Sequence, residues 1–102
     1  MNATPVTVSC TLSPDALAAR RENLLAKVAA LARVNTPTGD GRRFEFDASD
    51  ETLALITSMI QAERKCCQFL QFQLTISPAG GPIALELTGP PGTREFLDAC
   101  FE

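Results

Sequence analysis

Val6, Val8, Cys10 and Leu12 share one parity while Thr7, Ser9 and Thr11 take the other, the period-two pattern of a half-buried strand. Cys10 is therefore expected to point inward. A helix start follows at once: Ser13 serves as N-cap, Pro14 fits the first helical position, and Asp15 complements the positive end of the helix dipole. That helix is expected to run to about Arg33. Leu17, Leu24, Leu25, Val28 and Leu31 form its apolar stripe, and Arg21 falls inside the stripe, where an arginine needs a partner or a route to water.

The segment from Asn35 to Gly41 is dense in turn formers and reads as a loop. Arg42, Phe44 and Phe46 then alternate with Arg43, Glu45 and Asp47 as a second strand. Ser49, Asp50 and Glu51 open a second helix, whose broad apolar face carries Leu53, Leu55, Ile56, Met59, Ile60, Cys66, Cys67 and the neighbouring Leu70. At about 100° per residue the centre of this face falls close to Glu63. The period then returns to two. Leu70, Phe72, Leu74 and Ile76 alternate with Gln71, Gln73, Thr75 and Ser77, and Ile83, Leu85 and Leu87 answer them across Pro78-Ala79-Gly80-Gly81-Pro82, a hairpin. Thr88-Gly89-Pro90-Pro91-Gly92 turns into a last helix with Phe96, Leu97, Cys100 and Phe101 on one side.

The order β-α-β-α-β-β-α predicts an α+β fold, a single two-layer domain over residues 1–102 with helices on one face of a mainly antiparallel sheet. The strands have polar alternate faces, so the other side of the sheet is left to water or to a second subunit, and a homodimer is one expectation. A chain of 102 residues can bury a core of its own without obligatory disulfides. The net charge of -3, with arginines in two short doublets at Arg20-Arg21 and Arg42-Arg43, speaks against a nucleic-acid partner. No basic, apolar leader opens the sequence and no apolar run approaches a membrane span, so no membrane partner and a cytoplasmic address are expected. In that reducing compartment the four cysteines are expected as thiols, metal ligands or redox groups rather than structural disulfides.

Composition narrows the chemistry further. The chain has no histidine, tryptophan or tyrosine, so a metal site or nucleophile must be built from thiolate, carboxylate or backbone groups. These concentrate in Glu63-Arg64-Lys65-Cys66-Cys67. Glu63 precedes the cysteines by three and four residues and crowds them on one helical surface. Adjacent helical side chains diverge by about 100°, so the pair chelates poorly unless the helix ends there, as the strand starting near Leu70 suggests. A disulfide between neighbours would be distorted, and inward-facing Cys10 is the natural third sulfur. Cys10, Cys66 and Cys67, with Glu63 as fourth ligand or adjacent base, form a candidate site for Zn(II), Cu(I), Hg(II), Cd(II), arsenite or an iron–sulfur cluster.

Plainer readings compete with this one. Buried cysteine is a small hydrophobe and often only fills a core, the expected role of Cys100 beside Phe96, Leu97 and Phe101. A buried carboxylate needs a partner, and Arg21 on the other long helix is expected near Glu63. A thiol-redox protein using the vicinal cysteines is an alternative, although no histidine is present as base; a homodimeric interaction module with inert cysteines is another. No residue is assigned a catalytic role, and a binding protein is expected rather than an enzyme. Gly89-Pro90-Pro91-Gly92 lacks the donors and the following lysine of a phosphate loop and reads as a turn.

The run Glu63-Arg64-Lys65-Cys66-Cys67-Gln68-Phe69-Leu70-Gln71-Phe72-Gln73-Leu74, followed by Leu87-Thr88-Gly89-Pro90-Pro91-Gly92, resembles a family of small uncharacterised bacterial proteins with an E-R-x-C-C-x-F-x-F-x-L segment and a later L-x-G-P-x-G turn. Ser9-Cys10-Thr11-Leu12 leading into Ala18-Ala19-Arg20-Arg21 looks like the family's N-terminal part, so the resemblance spans most of the chain. It implies a small cytoplasmic α+β protein and carries no established activity; members occur in heavy-metal contexts, which points toward soft-metal binding. Cys10, Glu63, Cys66 and Cys67 match the family pattern. Relatives have Cys-Cys-Pro-Phe where this chain has Cys66-Cys67-Gln68-Phe69, so the helix loses one reason to stop after the pair.

Overall fold

The computed structural model describes residues 24–101. Its elements are α1 (Ala26–Leu31), β1 (Val34–Pro37), β2 (Gly41–Phe46), α2 (Asp50–Cys66), β3 (Gln71–Ile76), β4 (Ile83–Thr88) and α3 (Thr93–Phe101). The strands form one antiparallel sheet in the order β1-β2-β4-β3, so this is an α+β fold. The expected first strand with Cys10, the helix start at Ser13 and the stripe positions Leu17 and Arg21 lie outside the described residues.

Register explains which face of the sheet is covered. Phe44 pairs with Leu85 and Leu85 with Leu74; Phe46 pairs with Ile83 and Ile83 with Ile76. With side chains alternating along each strand, these rows stack on one face, and α1, α2 and α3 close over it with Leu25, Val28, Ile56, Met59, Leu97 and Phe101. Phe44 is the hinge of this core, meeting Phe46 in a stacked pair and Phe101 edge-on at 4.9 Å. Cover fades toward the outer strand β3. Phe72 and Leu74 are half-buried and Ile76 is 58% exposed, against the expectation that all three point into the core. The polar alternates Arg43, Glu45 and Glu86 lie on the opposite face, joined by ion pairs of 3.4 and 3.5 Å.

The segment expected as a loop from Asn35 to Gly41 is half strand. Val34–Pro37 pairs with β2 through a tight turn in which the Thr38 N–H donates to the Gly41 carbonyl at 2.9 Å. Turn formers mark only the tip, and Pro37 is tolerated because β1 lies at the edge of the described sheet, where a missing N–H breaks no central ladder. Gly41 is demanded by proximity: a Cβ there would overlap the Leu87 carbonyl oxygen of β4. The chain also leaves α1 slightly earlier than expected, since the Arg33 N–H already bonds the Glu45 carbonyl at 2.7 Å. Leu31, expected on the buried stripe, is 48% exposed as a result.

Helix α2 begins as its sequence predicts. The Ser49 hydroxyl accepts from the Thr52 N–H at 3.0 Å, Asp50 and Glu51 occupy the first turn, and Arg64 and Lys65 the last. Its buried residues are Thr52, Ile56, Met59, Glu63 and Cys66. Steps of four and three keep them in one stripe along the helix, so the apolar seam that anchors α2 delivers Glu63 and Cys66 to its far end.

One charged residue sits on the inner face of the sheet. Arg42 is 4% exposed, donates to the Asn35 Oδ1 and pairs with Asp98 Oδ1 at 2.7 Å, while the Asn35 amide reaches the Phe101 carbonyl at 3.4 Å. This network fastens β1, β2 and α3 together. No helix among the described residues is long and apolar enough to cross a membrane.

Candidate functional site

The α2 stripe ends at the vicinal cysteines, and the helix ends with it. Cys66 is the last helical residue; Cys67 leaves with φ -114° and ψ 76°, although its N–H still bonds the Glu63 carbonyl at 2.6 Å. The Leu70 N–H then returns to the Cys67 carbonyl at 3.1 Å, closing a turn into β3. The stop occurs without the proline of the resembled family. Its consequence is geometric: side chains that would diverge by about 100° on a continuous helix have their sulfurs 3.7 Å apart.

Glu63 completes the group from one turn earlier. The Cys67 thiol donates to Glu63 Oε1 at 3.6 Å. All three are shielded, with exposures of 5% for Glu63, 3% for Cys66 and 0% for Cys67. The wall is aromatic: Phe69, 6% exposed, packs on the pair and meets Phe96 of α3 edge-on at 5.1 Å. The expected crowding of Glu63, Cys66 and Cys67 on one surface is what the fold produces. Cys10 and Arg21, the expected third sulfur and carboxylate partner, lie outside the described residues.

The four cysteines are not all thiols. Cys66 is disulfide-bonded, whereas Cys67 and Cys100 carry thiols. The 3.7 Å between Cys66 and Cys67 is far beyond a bond of about 2.05 Å, so the pair is not bridged to itself, as the strain of a neighbour-to-neighbour disulfide predicts. The expectation of thiols, metal ligands or redox groups rather than disulfides is thus corrected at Cys66. It rested on compartment chemistry, whereas bonding is decided by where the backbone brings a second sulfur. Cys100 is half-buried and packs against the main core, the role expected for it.

The site lies at the C-terminal end of α2, where the helix dipole is negative, and it holds a buried carboxylate beside sulfur. Among the described residues no group of three or more histidine, cysteine, aspartate or glutamate side chains is arranged to hold a metal ion.

The aromatic wall escaped sequence reasoning on one side. Phe69 stands in the cysteine segment itself, but Phe96 comes from the last helix, and its apolar spacing signalled only burial. A separate cleft of about 370 Å³, lined by Arg33, Glu45, Phe46 and Asp47 among others, has its Arg33–Asp47 pair largely in water and assembles no sheltered chemistry. No family model, curated protein or solved structure matches the chain.

Proposed function

We propose that the junction between α2 and β3 is a thiolate site for a soft metal ion, with Cys66, Cys67 and Cys10 as sulfur ligands and Glu63 as the oxygen ligand. The observation that carries this reading is the 3.7 Å between the Cys66 and Cys67 sulfurs. Cys66 can act as a ligand only once its disulfide is reduced. Sulfur ligands select against hard cations such as magnesium or calcium.

The role is binding rather than catalysis, in a cytoplasmic protein that senses, buffers or transfers the ion. Protein purified and reduced without oxygen takes up one equivalent of Cd(II) in a calorimetric titration. Cys67→Ser lowers the affinity by more than about 100-fold, above the range for losing an outer-shell contact, and Cys100→Ser leaves it unchanged. Wild-type affinity in a Cys66→Ser, Cys67→Ser double variant sinks the proposal.

A further inference from the structure

We infer that the outer edge of β3 is a self-association surface whose partner is β3 of a second copy of this chain. The two edges of the described sheet are guarded differently. β1 runs only from Val34 to Pro37, and Pro37 interrupts its donors. β3 runs from Gln71 to Ile76 with no charge, proline or glycine, and among the described residues its one strand neighbour is β4. Short length, proline and charge are the devices that keep a sheet edge from pairing. β3 has none of them.

The inner row of β3 argues for a second copy as the occupant. Phe72, Leu74 and Ile76 lie on the core face opposite Leu87, Leu85 and Ile83, yet Phe72 and Leu74 are half-buried and Ile76 is largely in water. Opposed residues of an antiparallel pair point to the same face. A two-fold axis perpendicular to the sheet at Leu74 therefore sets Leu74 against the partner's Leu74 and Ile76 against the partner's Phe72. The patch answers itself: the ring that one copy leaves half-covered shelters the isoleucine of the other, and the exchange occurs twice. On the outer face Gln73 meets the partner's Thr75, an uncharged polar pair, and no like charges oppose each other along the seam. Helix cover fades at β3, which leaves room for the partner's helices on the same side, and two four-stranded sheets join into one.

Sedimentation equilibrium of the full chain tests this, in reducing buffer so that cross-linked thiols do not pass for a dimer. A seam of one strand pair is smaller than a standard interface and holds weakly, so concentrations up to about 300 μM are needed. The mass rises to twice that of the chain. Gln73→Lys with Thr75→Lys sets lysine opposite lysine across the seam and weakens the dimer at least about tenfold. Both positions are exposed, and Gln73 pairs with Glu86 of β4 within its own copy, so the new lysine has an anion there and the fold stands, as an unchanged circular dichroism spectrum shows. Thr75→Lys alone shifts the equilibrium the same way. Gln73→Lys with Thr75→Glu sets lysine opposite glutamate twice and restores the dimer. A wild type that is monomeric at every concentration overturns the proposal, whether the edge is then covered by another part of the chain or kept for a different protein. So does a lysine double variant that dimerises as well as the wild type. A lysine–glutamate variant that stays monomeric overturns the pairing at Leu74.

Discussion

Replacing Asp98 by alanine strands the guanidinium of Arg42. The Arg42 side chain is 5% exposed, and the Asp98 oxygen at 2.7 Å is its charged partner. Removing one member of a buried ion pair costs about 3–5 kcal/mol, because the survivor is left charged and dry. Asp98 itself is 27% exposed, so water can enter where its carboxylate stood, and Asn35 still accepts from the arginine. These features lower the expected loss to about 2 kcal/mol. For a domain of this size that lowers the melting temperature by roughly 8–16 °C. Arg42→Met with Asp98→Leu removes both charges together and should cost less than about 1 kcal/mol, since apolar replacement of a buried pair is often neutral. Urea denaturation of the wild type, Asp98→Ala, Arg42→Met, Asp98→Leu and the Arg42→Met, Asp98→Leu double variant measures the loss and the coupling. A loss under about 0.5 kcal/mol for Asp98→Ala, or a double variant as costly as the sum of the singles, refutes the reasoning. The consequence reaches the cysteines through α3, because Phe96 braces Phe69; iodoacetamide should label Cys67 faster in Asp98→Ala than in wild type.

Gly41→Ala drives a methyl group into the Leu87 carbonyl and should separate β2 from β4, yielding insoluble protein or a loss above about 3 kcal/mol; wild-type stability in denaturant contradicts that. Phe69→Ala removes the wall beside the sulfurs, should cost about 3 kcal/mol, and should speed alkylation of Cys67; an unchanged alkylation rate shows that the ring does not shield the site. Cd(II) at 100 times its dissociation constant should stabilise the reduced protein by about 2.7 kcal/mol, a rise in melting temperature of at least roughly 10 °C. An unchanged melting temperature contradicts the metal reading.

Much of this arrangement is legible in residue order because local chemistry and global packing agree. Ser49, Asp50 and Glu51 mark the start of α2 on the page and in space, and Glu63 at the centre of an apolar face is buried as its angle predicts. The Arg42, Phe44, Phe46 parity also holds, although the partners of Arg42 were not foreseen. Asp98 lies 56 positions away, and no periodicity carries a contact of that range. The hairpin formed by β1 was hidden for the opposite reason: Thr36-Pro37-Thr38-Gly39 is full of turn formers, while the pairing energy comes from a neighbour that local pattern does not name. Ile76 shows a further gap. Alternation assigns it to the inner face, but how far helices extend over an outer strand depends on where they cross it.

The turn from Cys67 to Leu70 has a meaning for how this chain can change its length. Upstream lies a helix whose last residue must present sulfur inward; downstream lies a strand whose parity assigns Phe72 and Leu74 to the core face. A single inserted residue between them would turn β3 over, exposing its apolar side and burying Gln71 and Gln73, or else rotate the cysteines away from Glu63. Exposed Gln68 can vary in kind, but the spacer around it behaves as a ruler of fixed length. The β3–β4 connection through Ala79 and Gly80, exposed and in left-handed backbone conformation, has no such duty. Insertions, tags and fluorescent reporters belong there, where the reading frame of the sheet on either side is left intact.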